Sequence, residues 1–138
     1  MISFQSINVE MPAINQQQVR EWVRRVADTY GRRVGEIAYV FVDDEEILRV
    51  NRQFLNHDYY TDIITFDDTE GRLIQGDLFI SLDTVRTNAE GLGVTYEEEL
   101  YRVIIHGILH LCGINDKGPG EREVMEAAED AALAIRYQ

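Results

Sequence analysis

One cysteine, three histidines and 13 basic residues against 25 acidic ones stand in a chain of 138 residues, and each scarcity argues against something. Cys112 has no partner for an internal disulfide and suits a reducing compartment. No apolar run approaches the roughly 20 residues of a membrane span. The opening Met1-Ile2-Ser3-Phe4-Gln5-Ser6-Ile7 has neither a basic n-region nor an apolar h-region. The expectation is a cytoplasmic protein without a membrane partner. The shortage of bases leaves a formal net charge of −12. Neutralising phosphates calls for a basic face, so the balance argues against broad nucleic-acid binding, and DNA is not an expected partner. Arg20, Arg24, Arg25, Arg32 and Arg33 gather near the first helix, where a solvated face explains them better than a basic strip.

The 45% of hydrophobic residues fits a globular chain, and its length suits one domain, residues 1–138, that buries about two-thirds of its unfolded surface. Ile2, Phe4, Ile7 and Val9 alternate loosely as a strand. Asn15 predicts the N-cap of a helix to Tyr30, stopped by Gly31. Residues 34–42 are apolar enough for an inner strand. Asp43 and Glu46 open a short helix through Phe54. Ile63–Phe66 and Leu73–Ser81 read as a hairpin around Asp68-Thr69-Glu70-Gly71, with Gly76 interrupting the return. Asp83 predicts the cap of a helix ending at Gly91–Gly93, and Thr95 with Glu98 opens a long apolar helix. Pro119 begins a closing helix to Tyr137, its apolar stripe at Val124, Ala127, Ala128, Ala131 and Leu133. The class is α+β: a small mixed sheet of about four strands packed with helices, around a central apolar helix.

That central helix carries His106 and His110. Four residues advance a helix by about 400°, so the rings share a face about 6 Å apart along the axis. The spacing suits two nitrogens on one transition metal, although a core histidine bonded to a backbone carbonyl is the plainer alternative. Each core imidazole needs partners for both nitrogens, and a metal supplies one of them. Gly107 stands where a zinc protease has its glutamate base, which argues against a peptidase. Glu99 and Arg102 share the stripe, and a place at the rim is the favoured reading for both. For a third ligand Asp116, just past the Gly113 stop, comes first, His57 second, and Cys112, expected in the core, last. A His, His, carboxylate set suits zinc, and non-haem iron also uses it.

The run His106-Gly107-Ile108-Leu109-His110-Leu111-Cys112-Gly113 resembles the His-Gly-x-Leu-His-Leu-x-Gly-Tyr-Asp-His signature of the YbeY family, metal-dependent endoribonucleases of ribosomal RNA maturation. Val50-Asn51-Arg52-Gln53-Phe54-Leu55 with Tyr60-Thr61-Asp62-Ile63-Ile64-Thr65-Phe66, and Gly76-Asp77-Leu78-Phe79-Ile80-Ser81, are similar to two further blocks of that family in the same order. The resemblance implies one zinc ion on His106, His110 and Asp116, the last standing where the family has a third histidine. It implies a water at the open fourth position, and beyond that water it names no catalytic side chain. Leu55 stands where the family usually has an arginine facing the substrate; Arg52 is the candidate to replace it. His57, Tyr59 and Tyr60 become candidate substrate-side residues, the tyrosines by stacking on unpaired bases or by packing as surface side chains. For Asp62 a turn role is favoured.

The resemblance implies a zinc-dependent endoribonuclease acting on single-stranded parts of a ribosomal RNA precursor, with ribosomal components as partners. Two rivals stand beside it: a metal-dependent hydrolase of a non-RNA substrate, and a ribosome assembly factor with a structural metal.

Overall fold

A computed structural model describes residues 1–56 and 61–136. Its strands are β1 (Ile2–Ile7), β2 (Arg33–Val42), β3 (Ile63–Asp67) and β4 (Leu73–Ser81). They form one mixed sheet in the order β1-β2-β4-β3. β2 runs parallel to both of its neighbours, and β3 lies antiparallel to β4 at the edge. The inner place expected for residues 34–42 is observed. β2 turns Ile37, Tyr39 and Phe41 into the main core and Val40 and Val42 into a smaller core on the other face. With both faces covered, its apolar residues run almost without a break.

Among the described residues five helices accompany the sheet: α1 (Gln16–Thr29), α2 (Asp44–Val50), α3 (Leu82–Leu92), α4 (Tyr96–Leu111) and α5 (Glu121–Ala134). Asn15, Asp43 and Thr95 cap α1, α2 and α4 as expected, each side chain accepting a backbone N–H three residues on. The cap of α3 is Ser81, not Asp83; Asp83 accepts the Asp44 N–H at 2.9 Å and ties α3 to α2. The short second helix divides into α2 and a π turn, Asn51–Leu55, which ends at Asn56 in a left-handed conformation with φ 55°.

The start and the face of α5 also differ from expectation. Gly120 is its N-cap, so Pro119 precedes the helix, and the buried side chains are Met125, Glu129 and Ala132. Val124 is 59% exposed, and Ala127 and Ala131 are exposed with it. Small alanines are satisfied on either face, so they mark the inner face poorly. The expected end at Tyr137 lies outside the described residues.

α4 is the central element that its all-round apolar character predicts. Its buried residues include Leu100, Val103, Ile104, Ile105, Ile108, Leu109 and Leu111. Gly107 allows the helix to lie close on the hairpin: a Cβ there would come 2.9 Å from Ile63 Cδ1 and 3.1 Å from a Leu78 methyl. Tyr39 Oη donates to the Ile104 carbonyl at 2.9 Å, and Trp22 Nε1 ties α1 to the Ala132 carbonyl of α5 at 2.8 Å. Two of the basic strip's arginines are structural. Arg20 donates to the Ile2 carbonyl, and Arg32 to those of Gly71 and Cys112. Among the described residues no helix is long and apolar enough to cross a membrane.

Candidate metal centre

α4 ends in a Schellman turn. Gly113, at φ 98°, donates to the His110 carbonyl at 3.0 Å, and Ile114 donates to Leu109 at 3.1 Å. A left-handed residue at this point costs glycine least, which is why the helix stops here and the chain folds back. The reversal does two things. It sets the Ile114 carbonyl 3.1 Å from His110 Nδ1. It also returns Asp116 to His106, with Oδ2 3.4 Å from Nε2.

On its other side His106 meets α5. Nδ1 lies 2.7 Å from Glu129 Oε2. A carbonyl and a carboxylate only accept, so Nδ1 is the donor in both bonds, and in the neutral ring Nε2 is then the acceptor. Glu129 is 6% exposed and is held in turn by Arg102 Nη1 at 2.8 Å, while Arg102 Nη2 reaches Asp130 at 2.7 Å. A histidine oriented through its second nitrogen by a carboxylate is the usual outer arrangement of a metal ligand. The expected rim position is therefore corrected for Arg102 and for Glu99. Arg102 braces the carboxylate that holds His106, and Glu99 is buried at 6% exposure.

The donor chemistry fits a transition ion. Two ligands each about 2.0–2.2 Å from a tetrahedral metal stand about 3.4 Å apart, which is the observed separation of His106 Nε2 and Asp116 Oδ2. The rings of His106 and His110 are 6.3 Å apart and 18° from parallel. Among the described residues, however, no group of three or more His, Cys, Asp or Glu is gathered at ligating distance. His106, His110 and Asp116 line one lobe of a cleft, about 260 Å³, together with Leu55, Asp62 and Lys117. A second lobe of about 250 Å³ shares Asp62, His106 and Asp116 and adds Glu99, Arg102 and Glu129.

The cleft is electrostatically tense. Burial pushes the Asp62 carboxyl above its ordinary range, and His106 pulls it partly back. Burial likewise raises Glu99, and the charge of Asp62 adds to the effect. For His106 burial acts downward, but the bond to Glu129 and the charges of Glu129, Asp116 and Asp62 outweigh it, so its pKa is raised. The turn role favoured for Asp62 is only part of its place. Its carbonyl accepts the Ser81 N–H at 2.9 Å, extending the hairpin, while the residue itself lines both lobes.

The remaining candidates separate. Arg52 lines a different depression, beside Asn8, Glu45 and Arg49, while Asn51 and Leu55 face the histidine lobe. His57, Tyr59 and Tyr60 lie outside the described residues. Cys112 is 7% exposed in the main core, and burial pushes its thiol up to about 11. Glu129 is the residue that sequence reasoning missed. Its signal was an acid spaced four residues from Met125, on what proves to be the buried stripe of α5.

A family model described as Endoribonuclease YbeY matches residues 2–136. The chain is 67% identical over 135 residues to the Endoribonuclease YbeY of Phocaeicola vulgatus, covering 98% of each. It is 64% identical over 135 residues to that of Bacteroides thetaiotaomicron, again covering 98% of each. For the Endoribonuclease YbeY of Porphyromonas gingivalis the identity is 54% over 134 residues, 97% of this chain and 89% of the relative. A solution structure of a Thermotoga maritima protein superposes with a TM-score of 0.65 at 25% identity, covering 97% of this chain and 90% of that one. Agreement of this extent, over nearly the whole length of the chain, means that the chain belongs to the endoribonuclease YbeY family.

Proposed function

We propose that the chain is a single-domain, zinc-dependent endoribonuclease that cuts single-stranded parts of ribosomal RNA precursors, with His106, His110 and Asp116 holding one ion. The observation that carries this reading is the hydrogen-bonding pattern of the two histidines. Glu129 and the Ile114 carbonyl occupy both Nδ1 positions, which leaves each Nε2 for a ligand; both histidines and Asp116 line one lobe, with Asp116 Oδ2 3.4 Å from His106 Nε2. Metal dependence accompanies the family membership, and the relatives are named as endoribonucleases.

An ion bound there supplies Lewis acidity toward a phosphoryl oxygen and acidifies the attacking hydroxyl. The protein's part is to hold and to shield. Glu129, braced by Arg102, fixes the ring of His106, and the Schellman turn fixes His110 through Ile114. Leu55, Ile63 and Ile64 give the same lobe an apolar wall, which strengthens the electrostatics inside it. Asp116 brings a negative charge where the family has a neutral imidazole. This lowers the Lewis acidity of the site and moves the activity toward higher pH. A net charge of −12 favours recognition at this cleft, or delivery by a ribosomal partner in the cytoplasm, over general affinity for RNA.

The test combines metal analysis with cleavage of a structured ribosomal RNA fragment. Wild-type protein should carry one zinc ion per chain and cut the fragment, and His110→Ala should lose both properties. Equal cleavage by the two proteins would overturn the mechanism.

A further inference from the structure

We propose that Lys117 grips a phosphate of the substrate strand beside the metal centre and is a substrate-positioning residue for cleavage; the inference rests on the RNA-cleaving reading above. Lys117 is the only lysine in the chain. It follows Asp116 directly in the turn that returns from α4, and it lines the lobe that holds His106, His110 and Asp116.

The other cations of the cleft are committed elsewhere. Arg102 is bound to Glu129 and Asp130, and Arg122 pairs with Glu126 at 3.1 Å. Both line the second lobe. Among the described residues Lys117 forms neither an ion pair nor a side-chain hydrogen bond, and it is exposed. Its ammonium is therefore the charge available to a ligand on the histidine side.

The lobe needs that charge. Asp62 and Asp116 are its acidic lining, and the apolar Leu55, Ile63 and Ile64 beside them offer no compensating charge. A phosphodiester approaching a chain of net charge −12 is repelled unless a cation meets it at the site. Lysine suits the task as a compact charge with three donors on a flexible stem, able to follow a strand whose backbone is not held in a fixed fork geometry. Because Lys117 and Asp116 line the same lobe, an oxygen bound to the ammonium is held in the lobe whose Asp116 faces His106 Nε2. The contact is to the phosphate, so it sets the position of the strand and not the identity of the base.

The experiment compares metal-loaded wild-type protein with Lys117→Met and Lys117→Arg. Three quantities are read: zinc content, kcat/KM on a single-stranded RNA, and the salt dependence of affinity for the 2′-O-methyl version, which cannot be cleaved through its ribose hydroxyl. Lys117→Met should keep its zinc and lose about 10- to 100-fold in kcat/KM, the worth of one charge-assisted hydrogen bond. Its plot of log affinity against log salt should be shallower by about 0.7, the value of one phosphate contact on a single strand. Lys117→Arg should restore most of both. Unchanged slope and kcat/KM in Lys117→Met, with wild type cleaving normally, would overturn this inference alone. Loss of zinc in Lys117→Met would also overturn it, in favour of a structural role for the turn. Wild-type protein that neither binds nor cleaves RNA would overturn the functional reading and this inference together.

Discussion

His106 is gripped from two sides: Glu129 holds Nδ1 at 2.7 Å and Asp116 faces Nε2 at 3.4 Å. His110, one turn on, has among the described residues the Ile114 carbonyl at 3.1 Å. The two imidazoles, equivalent by spacing, thus have unequal partners. A carboxylate partner raises the basicity of a ligating histidine and fixes its ring, and losing such a partner typically costs 10–100-fold in metal affinity. Glu129→Ala should weaken zinc binding by about that factor, read by competition against a chromophoric chelator. Glu129→Gln keeps an acceptor for Nδ1–H and should fall between wild type and Glu129→Ala. Affinity unchanged in both variants would reduce Glu129 to a packing residue.

Among the elements, the β3–β4 hairpin decides how well the cleft is walled, since β3 supplies Ile63, Ile64 and Thr65 to it. Gly76 makes the hairpin possible. A Cβ at this position would sit 2.1 Å from the Phe66 carbonyl oxygen, and backbone cannot swing away as a side-chain end would. Gly76→Ala should destabilise the fold by at least about 1–3 kcal/mol, seen as a lower midpoint in urea. Gly71 offers the contrast. Its φ is 57° and nothing lies within 4 Å of its Cβ position, so Gly71→Ala should cost only the left-handed strain of about 1–2 kcal/mol. A larger loss at Gly71 than at Gly76 would contradict this account. Gly107 belongs to the same scale. Its absence of a side chain removes a protease base in the sequence and, in the fold, lets α4 rest on Ile63 and Leu78.

At the scale of the whole molecule, a net charge of −12 is gathered partly where it is least comfortable. Asp62 and Glu99 are raised by burial, and the charge of Asp62 pushes Glu99 up further. The fold therefore favours their protonated forms. That contribution to stability is complete below the ordinary glutamate value of 4.5 and is lost as pH rises through the higher folded value. In ion-free protein Glu99→Gln should raise the Tm at pH 7, and the gain should vanish near pH 4. A gain of equal size at both pH values would mean that ionisation of Glu99 is not its source.

The sequence by itself determined the elements, because the signals that make them are local. Asn15, Asp43 and Thr95 cap their helices within three residues, Gly113 stops α4, and the apolar run of β2 announces burial on both faces. It also determined the pairing of His106 with His110, which helical pitch alone imposes. Only the tertiary structure decided what surrounds them. Whether Glu129 faces inward depends on how α5 packs against α4, 23 residues away from His106, and alanine-rich helices leave that rotation undetermined in sequence. The direction of Arg52 was settled by a π turn that aims Asn51 and Leu55 at the histidine lobe instead. Caps and periodicity act over one turn of chain, whereas a buried charge is placed by partners from other elements, and those meet only when the chain has folded.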